Sequence, residues 1–200
     1  MKKFFVLLSI TTLILVGCGS SGDFEAQTNW EVSDFAYDNQ RGEEVSLESL
    51  KGTVWLATFI FTNCTTVCPP MTFNMTEIQE MLVEKGIEDY KIVAFSVDPE
   101  VDTPEKLQEY LDMYDVPDES KWNLLTGYDQ EHISQFAEKS FKALVRNNPN
   151  SDQVIHGVRF YLVDQNGIAV KNYVGNENVP KEEIVIDVET LIEDGKKNNK

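Results

Sequence analysis

The segment Phe59–Pro70, which reads FIFTNCTTVCPP, constrains this chain more than any other stretch. A run of apolar and aromatic residues stops abruptly, two thiols follow with three residues between them, and two prolines come next. Proline suits the first turn of a helix, where its missing N–H has no partner to lose. The pattern therefore predicts a buried strand, a cysteine loop and a helix in direct succession. On a turn or a helical start, positions i and i+4 share one face at about 6 Å between Cα atoms. That separation falls within the disulfide range of roughly 4.4–6.8 Å, and it equally lets two sulfurs meet on one metal. Cys64 and Cys68 thus read as a redox pair, a metal clamp, or both. A purely structural staple is the weakest reading, because closing so short a loop removes little entropy from the unfolded chain.

The flanking chain places this junction in an alternating α/β pattern. Thr53 to Phe61 is a near-continuous β-branched and aromatic run, as expected for a strand covered on both faces. Met71, Met75, Ile78 and Leu82 make one helical stripe that stops at Gly86, with both methionines read as core filler. Tyr90 to Val97 is a second buried strand. Thr103 then caps a helix that opens on Pro104. Trp122 to Leu125 is a short strand, and Ile133, Phe136 and Ala137 mark a further helix. Residues 146–153, RNNPNSDQ, read as a polar loop. Gly157 to Val163 and Ile168 to Val174 form a hairpin around Asp164-Gln165-Asn166-Gly167, and Glu182 to Ile192 is a last helix. With two short strands ahead of them, these elements run β-β-α-β-α-β-α-β-β-α, the order of an α/β sheet with helices on both faces. Ligands of such sheets bind in loops at the carboxyl ends of the strands, which is where Cys64 falls.

The N-terminus is set apart from this pattern. Lys2 and Lys3 precede an apolar stretch, Phe4 to Val16, that is shorter than the ~20 residues a spanning helix needs, so residues 1–17 read as an export signal. Leu15-Val16-Gly17-Cys18 resembles the lipobox of bacterial lipoproteins, and that likeness implies a diacylated Cys18. Residues 18–29 are expected to be a flexible tether, residues 30–194 the folded domain and residues 195–200 a frayed tail. The expected location is the extracytoplasmic face of the cell membrane, an oxidising setting in which disulfides persist. A formal charge of −17 repels phosphate backbones and argues against nucleic acid as a partner.

Two sulfurs cannot complete a zinc or iron–sulfur site, and the chain offers only two histidines for the remaining ligands. His132, near a helix start, reads as an exposed histidine. His156, at the mouth of an apolar strand, is the candidate third ligand. The two lie too far apart for the H-x₃₋₅-H half of a zinc finger.

FIFTNCTTVCPPM, then FSVDPEVDTPEKL, then His156 ahead of a strand closely resemble the Sco/SenC family of copper-delivery proteins, over a span from about Trp30 to the final helix. The resemblance implies a thioredoxin-like fold with an added β-hairpin and a central mixed sheet flanked by helices. It implies one copper ion, Cu(I) or Cu(II), bound by Cys64, Cys68 and His156. Asp98 is implied to lie near the site, behind the ligands or in copper transfer; its local alternative is an Asp-Pro turn former. The implied partner is subunit II of cytochrome c oxidase, whose dinuclear CuA centre this family helps to assemble. The donor set suits Cu(I), which accepts two thiolates and an imidazole, whereas Cu(II) favours a more nitrogen- and oxygen-rich set.

The competing class is an enzyme, and the metallochaperone reading stands ahead of it. Thioredoxins use C-x-x-C and place a proline beside the disulfide, but the loop Asn150–Gly157 has no proline and carries His156. No proline precedes Cys64 at the offset a peroxiredoxin needs. A thiol–disulfide oxidoreductase that keeps the CuA cysteines of subunit II reduced is the alternative. Phe141, Leu144 and Val145 could form a docking patch, although packing beneath the 146–153 loop is their duller use.

Overall fold

The computed structural model describes residues 24–151 and 153–198; the expected signal segment 1–17 and Cys18 lie outside these residues. The elements in chain order are β1 (Trp30–Glu31), β2 (Ala36–Asn39), β3 (Glu44–Ser46), α1 (Leu47–Leu50), β4 (Val54–Ile60), α2 (Cys68–Glu84), β5 (Tyr90–Ser96), α3 (Pro104–Leu111), β6 (Trp122–Thr126), α4 (Gln130–Phe141), β7 (Val145–Asn147), β8 (Val154–His156), β9 (Arg159–Val163), β10 (Ile168–Val174) and α5 (Lys181–Asn198). A single 3₁₀ turn, Glu119–Lys121, precedes β6. No helix among the described residues is long and apolar enough to cross a membrane.

The apolar runs become the middle of one mixed sheet of eight strands, in the order β1-β10-β9-β4-β5-β6-β2-β3. Strands β4, β5 and β6 are parallel. Strand β9 joins β4 antiparallel and closes a hairpin with β10. All of β4 is buried. Alternate β4 residues face opposite sides of the sheet, and Trp55 and Phe59 both meet Phe141 at the end of α4 edge-on. Phe35, Phe95, Phe136 and Tyr161 extend this aromatic cluster. Helix α5 packs on β4 and α2. Helix α2 is joined to α3 by a hydrogen bond of 2.6 Å between the Thr72 and Tyr110 hydroxyls. Met71 and Met75 are fully buried, as core filler requires.

The architecture is the expected α/β sheet, with three local differences. The polar stretch 146–153 is not a plain loop: β7 and β8 flank its tip and pair antiparallel, with Val145 opposite His156 and Asn147 opposite Val154. Val145 and Val154 of these short strands are buried, and the Asn148 N–H donates to Gln153 O at 2.9 Å beyond them. Val32 and Phe35, whose apolar spacing ahead of Tyr37 reads as a short strand, lie between β1 and β2, buried and bonded through Val32 N–H to Gly167 O and Phe35 O to Leu47 N–H. Helix α5 continues past Ile192 to Asn198, where Lys196 and Lys197 suit the negative end of the helix dipole. Upstream of β1, the N–H groups of Gln27 and Thr28 both donate to Val170 O.

Candidate metal centre

Both cysteines sit where β4 hands over to α2, at the carboxyl edge of the parallel strands. The Cys64 N–H turns back to Phe61 O at 3.2 Å. Cys68 is the first residue of α2, with Pro69 and Pro70 completing the proline-tolerant first turn. Val67, at the N-cap position, makes no side-chain capping bond. The Cys64 sulfur takes that place: it accepts the Cys68 N–H at 3.3 Å, and the Thr66 N–H points to it as well. The expected i, i+4 juxtaposition therefore arises from a loop residue capping the helix rather than from two residues within it. Both are free thiols.

This arrangement divides the two sulfurs electrostatically. A hydrogen bond from the Cys68 thiol, with others from the Thr66 and Cys68 backbone amides, holds the Cys64 thiol far below its ordinary range despite partial burial. The positive end of α2 acts in the same direction. Burial pushes the Cys68 thiol up, and the neighbouring Cys64 anion adds to the effect. Cys68 is wholly buried, whereas Cys64 retains 6% of its surface.

His156 arrives from the separate β7–β8 hairpin. Its Nε2 lies 3.4 Å from Cys68 Sγ, while its Nδ1 lies 3.0 Å from Gly157 O. A carbonyl only accepts, so Nδ1 carries the proton and the Nε2 lone pair faces the sulfur. The Phe61 ring meets the imidazole edge-on at 5.7 Å between centroids. Gln153 Nε2 donates to Asn63 O at 3.2 Å and ties the hairpin to the cysteine loop. One donor atom each from Cys64, Cys68 and His156 then lie within 4.8 Å of one another, a grouping that could hold a metal ion. Soft sulfur with imidazole suits Cu(I) or zinc rather than magnesium or calcium.

Asp98 is not one of the three. Its carbonyl accepts the N–H groups of Val101 and Asp102, and its own N–H donates to Ser96 Oγ at 3.1 Å, so it forms a turn after β5. The sequence reading missed Asp102, which is 1% exposed. Its carboxylate accepts the Thr62 hydroxyl at 2.6 Å, the Thr62 N–H at 3.3 Å and the Ser96 hydroxyl at 2.6 Å. Burial raises its pKa, against the effect of those hydrogen bonds. An acid one residue before a helix cap looks like surface, and nothing in the sequence signals its burial.

The remaining candidates fall elsewhere. His132 is exposed on α4, with its Nε2 2.6 Å from the Tyr37 hydroxyl. Phe141 and Val145 are buried, as the packing alternative required, and only Leu144 stands out at the surface.

Comparison with known proteins follows the same lines. The family described as SCO1/SenC matches residues 24–193. The SCO1 protein homolog of Bacillus subtilis (strain 168) is 48% identical over 178 residues, covering 89% of this chain and 91% of that protein. A SCO1/SenC family lipoprotein from Bacillus anthracis has a solved structure with 47% identity and a TM-score of 0.78, over 82% of this chain and 95% of that one. The structure of BsSco, described as a member of the Sco family of cytochrome c oxidase assembly proteins and as having a disulfide switch, aligns at 48% identity and a TM-score of 0.77, over 84% and 97%. ScoI of Bradyrhizobium japonicum, solved with copper bound, is 27% identical with a TM-score of 0.68, over 80% and 99%.

Proposed function

Since this chain belongs to the SCO1/SenC family, we propose that it binds one copper ion through Cys64, Cys68 and His156 and delivers it toward the CuA centre of cytochrome c oxidase subunit II. The observation that carries the reading is the convergence of three donor atoms from two distant segments to within 4.8 Å. The donor chemistry supports copper as cargo, since two soft sulfurs and one imidazole with its Nε2 lone pair turned inward match the low coordination number of Cu(I). The copper-bound relative supports the choice of metal, and the relative described as a cytochrome c oxidase assembly protein supports the destination. Subunit II as the receiving partner, and Asp98 as a residue beside the copper during transfer, belong to this proposal. So does membrane anchoring through a lipid on Cys18, which the Leu15–Cys18 motif and the lipoprotein relative support.

The chain's own residues prepare the site. The Cys68 thiol and the Thr66 and Cys68 N–H groups favour the thiolate form of Cys64. Gly157 O fixes the tautomer of His156 and leaves its Nε2 lone pair as the third donor, so the proton that Cys68 gives up on becoming a ligand goes to solvent. Phe61 covers one edge of the imidazole.

Anaerobic titration of the reduced protein with Cu(I), in competition with a chromophoric chelator, tests the proposal. One equivalent is expected to bind tightly, and Cys64→Ser, Cys68→Ser and His156→Ala should each weaken it. Wild-type affinity in all three variants refutes the assignment. A second reading, a thiol–disulfide oxidoreductase that keeps the subunit II cysteines reduced, is favoured by the unequal thiols, one activated and one protected. Rapid reduction of a disulfide substrate, with no sulfur-to-copper charge-transfer band on adding Cu(II), would select it.

A further inference from the structure

Asp102 is a buried carboxylate that neither reading uses. It does not serve as the cap of α3, because the Thr103 hydroxyl accepts the Lys106 N–H in that role. Its side-chain partners are hydroxyls and an amide, and Lys106 acts on it only through space. Burying a carboxylate without a paired cation is costly. The partners it has gained share a purpose. Thr62, two residues before Cys64, is held by both its N–H and its hydroxyl. Ser96, at the end of β5, donates its hydroxyl to the same carboxylate and accepts the Asp98 N–H. The Asp102 main chain is fastened too, its N–H to Asp98 O at 2.9 Å and its carbonyl to the Thr126 hydroxyl at 2.7 Å. One side chain thus pins together the carboxyl ends of β4 and β5, with its own backbone fixed to the end of β6.

We propose that Asp102 is the positioning residue of the cysteine loop, fixing through Thr62 and Ser96 where the chain leaves β4 and so where Cys64 Sγ stands relative to Cys68 and His156. The inference rests on the copper reading for its main test, and the thiol pair offers an independent one. Residues that orient metal ligands from behind typically control affinity by 10–100-fold. Thr62→Val removes the hydroxyl donor and leaves the charge and the Thr62 N–H bond in place. Asp102→Ala removes all acceptors. Asp102→Asn keeps one oxygen to accept the Thr62 hydroxyl and N–H, with its amide nitrogen able to donate to Ser96 Oγ.

The experiment is Cu(I) competition titration of the full chain in detergent, with the sulfur-to-copper band recorded on Cu(II). Thr62→Val and Asp102→Ala are expected to lose about tenfold or more in affinity and to shift the band, while Asp102→Asn stays near wild type. Wild-type affinity and spectrum in folded Asp102→Ala or in Thr62→Val overturn the proposal, as does an Asp102→Asn variant that falls as far as Asp102→Ala. Where Asp102→Ala does not fold by circular dichroism, Thr62→Val decides. Failure of the wild type to bind copper removes the copper reading alone. Positioning is then judged by the Cys64–Cys68 midpoint potential, which Thr62→Val should move by about 30 mV, a tenfold change in the thiol–disulfide constant. An unmoved potential overturns it.

Discussion

Replacing Gly175 with alanine sets a methyl group against the ring of Phe160. The added Cβ would stand 2.9 Å from Cε1 and 3.0 Å from Cζ, where ordinary contact begins near 3.4 Å. Phe160 is fully buried and has no open space to retreat into. Overpacking of this kind costs about 1–3 kcal/mol. The stiffer unfolded chain of the alanine variant returns about 0.4–1 kcal/mol. The net loss should therefore be about 0.5–2 kcal/mol, or roughly 1–8 °C in Tm for a domain of this size. The strain has a direct route to the proposed metal site, because the Gly175 N–H donates at 2.8 Å to the carbonyl of Val158, two residues beyond His156. Asn74 of α2 holds the other side of Gly175 through its carbonyl at 3.0 Å. Urea unfolding of wild type, Gly175→Ala, Phe160→Leu and the double variant checks the cause, since leucine lacks the ring atoms in conflict. The double-mutant cycle should return a favourable coupling of at least about 0.5 kcal/mol, and copper affinity should fall in Gly175→Ala. A variant as stable as wild type, or a cycle with no coupling, refutes the steric argument.

Copper affinity should depend on pH through Cys68. Burial keeps the proton on this sulfur well above the ordinary thiol range, so binding must displace it, and apparent affinity falls as pH falls, about tenfold per unit for one released proton. Competition titrations between pH 8 and 6 check the slope, and a flat profile contradicts it. Away from the site, Lys171 is 8% exposed and its ammonium lies 2.6 Å from Asp187 and 2.8 Å from Glu183. Asp187→Ala leaves that charge only the half-exposed Glu183 and also removes the acceptor of the Tyr173 hydroxyl, so it should cost about 1.5–3 kcal/mol in urea unfolding. Lys171→Met should cost less, because Asp187 keeps its bond from Tyr173; equal losses would contradict the charge argument.

The features legible in the sequence are those whose cause is local. Continuous apolar runs announced β4 and β5, the Met71–Leu82 stripe announced α2, and Thr103-Pro104 announced the start of α3. Asp164–Gly167 announced its turn, in which Gly167 takes a φ of +82°. The convergence of Cys64, Cys68 and His156 was readable because both thiols are close in sequence and only two histidines compete for the third place. Other features depend on partners supplied by distant chain. The β7–β8 hairpin lies in polar sequence, and its pairing depends on Val145 packing beyond α4. Asp102 became visible only once Thr62 and Ser96 closed around it. The order of the sheet, with β9 inserted beside β4, is likewise a property of the assembled fold.

Cys68 and His156 are 88 residues apart in sequence yet 3.4 Å apart in space. A metal held there would act as a cross-link, joining the start of α2 to a hairpin outside the main sheet. The loop it closes would cost about 4 kcal/mol in chain entropy to form in the unfolded polypeptide. Bound metal would therefore discriminate strongly between finished and unfinished chains, because any chain lacking β8 holds sulfur without imidazole. Retention of the ion would serve as an internal check that the hairpin has docked against the start of α2, and its release would remove that link between them.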